Sequence, residues 1–137
     1  MKFINPTGLY DPRPNGYTHV VVAQTPARII YIAGQGGENA AGELSDNFEE
    51  QVAQALRNLQ TALDAAAVRH TDIARITALI VDHSEQRLAT FSKALRAMWG
   101  VHPAPACTLI PVPRLALDGM LFEIEATAVR QAEDEIY

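Results

Sequence analysis

Two glutamates near the end of the sequence have a spacing that suits acid–base chemistry. Glu123 and Glu125 lie in segment 120–128, where apolar and polar residues alternate with a period of two. Such alternation predicts a β-strand, and side chains two positions apart on a strand project from one face, about 7 Å apart. Two carboxylates in this arrangement could act as acid and base; alternatively, they pair with cations at a contact between subunits.

Cys107 is the only cysteine and the second candidate. A free cysteine is often a small buried hydrophobic residue, whereas a reactive thiolate needs a neighbouring cation that lowers its pKa. The cations nearest to it in sequence are Arg114 and His102. The residues alone leave both interpretations open, a buried hydrophobic residue and a thiol that lines a cleft.

Other residues with chemical potential have simpler interpretations. Tyr17 follows a glycine at the start of a β-rich segment, where an aromatic ring could anchor a sheet edge or line a cleft. The glycines of segment 34–37 lack the Lys-Ser/Thr ending of a P-loop and favour a turn. The four histidines show no spacing typical of metal ligands, and we expect no metal and no cofactor. These are His19, His70, His83 and His102.

Two amphipathic helices are predicted to position these residues. Ser45 is a suitable N-cap for a long helix that ends near Ala67, with acids in its first turn and apolar residues every three or four positions. Ser84 is predicted to open a second helix, which Gly100 ends.

The remaining elements are predicted strands. The β-rich segments 17–22 and 28–33 predict a hairpin. Pro111 and Pro113 both lack an N–H donor, so strand pairing should fail near Pro111 and leave a sheet edge, a bulge or a subunit boundary. Segment 73–81 is apolar on both faces except at two positions. Since two helices cannot cover both sides of a sheet, we expect an α+β fold with both helices on one face and an oligomer formed through the other.

Length and charge limit the function classes. A chain of 137 residues fits a single domain, 1–137. A net charge of −5, with no run of three basic residues, argues against nucleic-acid binding. No stretch approaches the ~18 apolar residues of a membrane span, so we expect a cytoplasmic protein that binds neither nucleic acid nor membrane.

The C-terminal region resembles the signature of a known family. Pro105-Ala106-Cys107-Thr108 and the strand Met120–Ala128 are similar to the corresponding segments of the RidA/YjgF family, also called the endoribonuclease L-PSP family or the reactive-intermediate deaminases. The resemblance covers roughly Tyr17 to Arg130. The usual form of the signature begins Pro-Ala-Arg, so Cys107 stands at the position of the family arginine.

The resemblance implies a fold and a set of site residues. It implies a chorismate-mutase-like fold with a six-stranded mixed sheet, and a homotrimer whose sheets close around a central barrel with clefts between subunits. Glu123 matches a cleft glutamate thought to position water, and Tyr17 matches a cleft tyrosine. Ala33-Gly34 resembles the family's Ser-Gly, and Ser92 stands roughly where the family often has an asparagine.

The resemblance also implies an activity, which the cysteine alters. In the family, the arginine binds the carboxylate of an imine or enamine derived from an amino acid, and water releases a 2-keto acid and ammonia. A thiol offers one weak donor and no charge, and loss of a charged hydrogen-bond pair typically costs several kcal/mol.

Three hypotheses follow for the function. The first is a RidA-like trimer that binds small carbonyl or imine metabolites and hydrolyses any imines only where the usual carboxylate is lacking. The second is a working deaminase of 2-imino acids in which Arg114 replaces the arginine. The third is a non-catalytic protein that binds a keto acid or a similar metabolite.

Overall fold

The computed structural model describes residues 1–132 and contains two α-helices and six strands. Single 3₁₀ turns at Arg13–Asn15 and His70–Asp72 join some of these elements. In chain order the elements are β1 (Lys2–Ile4), β2 (Val20–Val22), β3 (Ala27–Gly36), α1 (Phe48–Ala65), β4 (Ile73–Val81), α2 (Glu85–Trp99), β5 (Ala106–Val112) and β6 (Phe122–Gln131).

The six strands form two sheets. A mixed four-stranded sheet has the order β3-β6-β4-β5, and β1 pairs with β2 in a small antiparallel sheet. The α+β class is confirmed, but the strands divide into four and two, and an isolated bridge between Thr18 and Ala106 links the second sheet's region to β5.

The predicted hairpin between segments 17–22 and 28–33 is wrong. β2 pairs with β1, and β3 pairs with β6 along most of its length. The hairpin prediction rested on the closeness of these two segments in sequence. The long alternating strand β6 instead offers β3 a partner that matches it from Ala27 to Gly36.

Polar caps fix where the helices begin. The Oδ1 atom of Asn47 accepts a hydrogen bond from the N–H of Glu50 (2.9 Å), so the N-cap of α1 is Asn47 and not Ser45. Ser45 lies two residues earlier, where its hydroxyl donates to the Glu50 carboxylate. Ser84 caps α2 as predicted, through its Oγ and the N–H of Arg87 (3.1 Å).

Both helices cover one face of the four-stranded sheet. The rings of Phe48 on α1 and Phe91 on α2 contact the ring of Phe122, with centroids 6.1 and 5.4 Å away. Ile76 and Ile80 of β4 project from the same face and are fully buried. Leu79, between them, projects from the opposite face, so alternation along β4 separates a core face from an open face.

The open face carries large apolar side chains that nothing within residues 1–132 covers. Ile29, Tyr31 and Ile110 are 52%, 79% and 43% exposed. β5, with Pro111 within it, is an edge strand, as the prolines predict. No helix within residues 1–132 is long and apolar enough to cross a membrane.

Candidate functional site

The carboxylate of Glu123 lies directly over the backbone of Gly34. The β3–β6 register shifts between Ile32 and Gln35, and Gly34 lies in this irregularity. An ideal Cβ atom at Gly34 would lie 1.7 Å from Oε1 of Glu123. Only a residue without a side chain leaves room for the carboxylate here.

A buried glutamine on α1 holds the start of β6 in place. Gln51 is fully buried, and its Nε2 donates to the carbonyl oxygens of Ser45 (2.7 Å) and Gly119 (2.9 Å). Its Oε1 accepts from the N–H of Leu121 (2.8 Å). Because Leu121 lies two residues before Glu123, Gln51 fixes the backbone that carries the carboxylate.

An asparagine on the same helix holds the end of β3. The Nδ2 of Asn58 donates to the carbonyl oxygens of Gly36 (2.9 Å) and Glu38 (2.8 Å). Sequence reasoning missed both Asn58 and Gln51. The available signal was their spacing of seven, which places two uncharged polar residues on one face of α1 beside its apolar stripe.

Glu123 and Glu125 have no hydrogen bond or ion pair from their carboxylates within residues 1–132. Glu125 lies opposite Thr77 on the open face and is exposed, whereas Glu123 is half-buried. An ionised carboxylate accepts hydrogen bonds and can take a proton from water. Glu123 therefore presents a carboxylate on the open face that is able to accept a hydrogen bond or a proton from a water molecule.

Cys107 projects from the other face of the same sheet. It lies opposite Ile76 on β4 and packs against the core under the helices. Glu123 lies opposite Leu79, three positions further along β4. Residues an odd number of positions apart on a strand project from opposite faces of the sheet, and three positions along a strand span about 10 Å. One chain therefore does not bring the thiol and this carboxylate together.

Burial raises the pKa of the Cys107 thiol to about 12, and the cation that partly opposes this shift is Arg75. Neither Arg114 nor His102, the neighbours in sequence, contributes to that shift. The thiol of Cys107 stays protonated at neutral pH, so the structure does not support thiolate chemistry in the single chain.

Arg114 is held by its own loop beyond β5. Its Nη2 donates to Oδ1 of Asp118 (3.0 Å), and its Nε donates to the carbonyl oxygen of Leu115 (3.1 Å). The guanidinium and the Asp118 carboxylate are both exposed. The structure thus shows Arg114 in a local ion pair and not beside Glu123.

Tyr17 belongs to an aromatic cluster near the N terminus. Its ring lies edge-on to that of His19, with centroids 5.5 Å apart, and its hydroxyl is hydrogen-bonded to that of Tyr10. Tyr17 also lines a surface cleft of about 400 Å³ beside the end of α2. Other residues that line this cleft are Arg96, Trp99, His102 and Ala104.

Ser92 and Ala33 complete the predicted site residues and lie in different regions. Ser92 is buried on α2, close to Gly16, and its hydroxyl has no hydrogen-bond partner among the described residues. Ala33 is exposed beside Gly34. The structure thus gathers Ala33, Gly34 and Glu123 at the β3–β6 irregularity, and places Tyr17 and Ser92 beside α2. Within residues 1–132 there is no cluster of three or more His, Cys, Asp or Glu that could hold a metal ion.

Comparisons with known proteins agree with this architecture. The family described as Endoribonuclease L-PSP matches residues 11–130. A 2-iminobutanoate/2-iminopropanoate deaminase of Salmonella typhimurium is 32% identical over 92 residues, which is 66% of this chain and 70% of that protein. A RutC family protein of Pyrococcus horikoshii is 29% identical over 127 residues, covering 88% of this chain and 92% of that protein.

Solved structures give the same result. YyfB of Yersinia pestis, a Rid family protein of unknown function, superimposes with a TM-score of 0.87 at 36% identity, covering 93% of this chain and 96% of that one. A putative endoribonuclease of Thermotoga maritima shares the fold, with a TM-score of 0.69 at 21% identity over 96% of this chain and 99% of that one. The chain therefore belongs to the RidA/YjgF family, which is also called the endoribonuclease L-PSP family.

Proposed function

We propose that the chain forms homotrimers that bind small carbonyl or imine metabolites in clefts between subunits and hydrolyse imines or enamines that lack the usual carboxylate. The observation that carries this proposal is the position of Glu123. Its carboxylate lies over Gly34 on the open face and has no partner within residues 1–132.

The proposed reaction needs one oriented water molecule. Glu123 accepts a proton from water as the water oxygen forms a bond to the imine carbon and the C=N π electrons move to nitrogen. Where the imine is protonated, the resulting neutral carbinolamine takes this proton from Glu123 on its nitrogen, and the C–N bond breaks to release ammonia while the hydroxyl proton passes to Glu123 and the carbonyl forms. General acid–base catalysis of this kind typically contributes about 10²–10⁴-fold in rate.

The substrate preference rests on the missing cation. Cys107, at the position of the family arginine, projects into the core side of the sheet and carries a neutral thiol. Arg114 is already paired with Asp118. Since a carboxylate without a charged partner loses several kcal/mol of binding, substrates without a carboxylate fit this site better.

The proposed trimer rests on two observations. The open face exposes Ile29, Tyr31 and Ile110, and large exposed apolar surfaces mark interfaces. In addition, Tyr17 lies beside α2, away from the Gly34–Glu123 pair. A cleft that includes both groups therefore needs more than one subunit.

The test compares two classes of imine. An amino-acid oxidase generates 2-imino acids, an amine oxidase generates imines without a carboxylate, and release of the carbonyl product is followed with and without the protein. We expect acceleration of the second class, a loss of about 10²-fold or more in Glu123→Gln, and little change in the control Glu125→Gln.

Each other result supports a different hypothesis. Strong acceleration of 2-imino acids that Arg114→Ala removes would support the deaminase in which Arg114 replaces the arginine. Ligand binding without acceleration of either class would support a non-catalytic metabolite-binding protein. Acceleration that persists in Glu123→Gln would overturn the role proposed for the carboxylate.

A further inference from the structure

The cleft beside the end of α2 combines an apolar wall with a cation. Its volume is about 400 Å³, which is within the range of clefts that hold small molecules. Phe3, Leu95 and Trp99 contribute apolar side chains to its wall. Arg96 and His102 also line it. This combination suits a ligand that has an apolar body and a charged end.

Within one chain this cleft is separate from the Gly34–Glu123 pair. Leu95 and Trp99 belong to the core that the helices cover, so the cleft lies beside the covered face of the sheet. Glu123 lies on the open face and is not among the residues that line the cleft. A ligand in the cleft therefore does not need the carboxylate proposed for imine hydrolysis.

The charge of the cleft comes from Arg96. Its Nη1 donates to the carbonyl oxygen of Pro14, which is neutral, so the guanidinium stays positively charged. Arg13 also lines the cleft, but Asp11 holds its guanidinium through two hydrogen bonds (2.9 and 3.0 Å). Among the described residues that line the cleft there is no aspartate or glutamate. The local potential therefore favours an anion.

The end of α2 opposes an anion only weakly. A helix C terminus carries a partial negative charge, about half an elementary charge, on its carbonyl oxygens. Here the carbonyl oxygens of Arg96 and Trp99 accept hydrogen bonds from the N–H groups of Gly100 (2.8 Å) and His102 (3.0 Å). The full charge of Arg96 in the last turn exceeds the partial charge that remains.

Trp99 also brings a hydrogen-bond donor to this wall. Its Nε1–H is buried and has no hydrogen-bond partner within residues 1–132, and unpaired buried donors are rare in folded proteins. A ligand that carries an oxygen acceptor is therefore favoured over a purely apolar one.

We infer that this cleft binds small organic anions with an aromatic or branched apolar body, and that Arg96 holds the anionic group. The inference goes beyond the proposed hydrolysis of imines and does not depend on it. It assigns the chain a second ligand site with the opposite charge preference to the site around Glu123.

The test uses Trp99 as a built-in probe. It is the only tryptophan, so its fluorescence and its indole N–H signal in NMR spectra report on this cleft. Phenylacetate (anionic), phenylacetamide (neutral) and phenethylamine (cationic) share a skeleton and differ in charge, and each is titrated into the full-length protein. We expect phenylacetate to bind most tightly and to change both signals saturably, and phenethylamine to bind least tightly.

Matched variants separate local charge from net charge and from folding. Arg96→Gln should weaken phenylacetate binding about fivefold and leave phenylacetamide within about twofold. Arg57→Gln removes the same charge from an exposed position on α1, where the guanidinium also bonds to a neutral group, and should change none of the three affinities. Arg96→Lys keeps the charge and should retain most of the affinity, so the charge preference can be measured even if Arg96→Gln folds poorly.

Several outcomes would overturn the inference. Equal affinities of the three compounds, no binding by any of them, or equal effects of Arg96→Gln and Arg57→Gln would rule out selection of anions by Arg96. Saturable binding that leaves both Trp99 signals unchanged would place the ligand outside the cleft.

Glu123→Gln distinguishes this inference from the proposed function. We expect it to abolish imine hydrolysis and leave the affinity for phenylacetate unchanged. An equal loss of both would make the cleft part of the imine site and overturn its independence. Selective phenylacetate binding without hydrolysis of either imine class would overturn the proposed function alone.

Discussion

The two faces of the four-stranded sheet are built from the same strands and have opposite properties. On the covered face, Ile76, Ile80 and Phe122 are fully buried under both helices. On the open face, Leu79 lies opposite Glu123, whose carboxylate has no partner within residues 1–132. Along β4 and β6, every second residue therefore projects into the core, and the residues between them project from the face that carries the candidate site.

This difference explains why a match in sequence does not assign a role to Cys107. The motif places it at the family arginine, but its pairing with Ile76 puts it on the covered face. One position along β5, Thr108 faces the open side and accepts a hydrogen bond from Arg75 (2.9 Å). Whether a residue projects from the covered or the open face of its strand thus decides whether its side chain can reach a ligand on the open face.

The largest expected effect comes from placing a charge on each face. Ile80→Asp should prevent folding, because an unpaired ion in the core costs several kcal/mol. Leu79→Asp should leave the chain folded and dissociate the proposed trimer, since Leu79 needs a partner subunit to be buried. Circular dichroism and sedimentation measure the two effects. Equal loss of folding in both variants would contradict a separate interface on the open face.

Alkylation of Cys107 should be about 10³-fold slower than that of a free thiol at neutral pH. The reason is that the thiol pKa, usually 9.0, is about 12 in the folded chain, so the thiolate fraction falls by this factor. The measurement is the rate of iodoacetamide labelling from pH 7 to pH 10, with the unfolded protein as the control. Rapid labelling of the native protein, slowed by a bound keto acid, would instead place Cys107 in a ligand cleft.

Much of the fold was predictable because its signals are local. The bounds of β4 agree with the apolar run 73–81, and the Ser84 cap and the Gly100 end of α2 follow from short-range rules. The uncovered apolar face was also predictable from the sequence. Segment 73–81 is largely apolar on both sides, and two helices on one face of the sheet leave the other side uncovered.

What the sequence did not reveal depends on pairing between distant residues. The covered position of Cys107 requires the β4–β5 register. Gln51 appears in sequence as an ordinary polar helix residue, although it is fully buried and bonds to a loop 68 residues away. The resemblance identified Glu123, but only the structure shows its contact with Gly34.

Gly34→Ala tests the contact between Gly34 and the carboxylate of Glu123 on the open face. Its methyl group would occupy the space of Oε1 of Glu123 and move the carboxylate, and a misplacement of about 1 Å can cost ~10²-fold in rate. Stability should change by about 1 kcal/mol or less, because the displaced atoms end a flexible side chain. The matched control is Gly8→Ala, where no atom lies within 4 Å of the added carbon. Unchanged imine hydrolysis in Gly34→Ala would separate Glu123 from the chemistry.

The smallest effect tests the covered face through the pH dependence of stability. Because burial raises the pKa of Cys107 from 9.0 to about 12, the folded chain keeps the thiol proton at pH values where the unfolded chain loses it. The stabilisation is complete about one pH unit below pH 9 and is lost as the pH rises toward 12, at about 1.4 kcal/mol per pH unit between these two pKa values.

Cys107→Ala isolates this contribution, because tyrosines and lysines titrate alike in both proteins. The free energy of unfolding is measured by urea denaturation at pH 8, 9 and 10. The difference between wild type and Cys107→Ala should shrink by a few tenths of a kcal/mol (about 0.3) from pH 8 to pH 9 and by about a further 1 kcal/mol from pH 9 to pH 10. A constant difference across the whole range would mean that the thiol titrates normally, as it would in a solvent-filled cleft, and would move Cys107 from the covered face to the site.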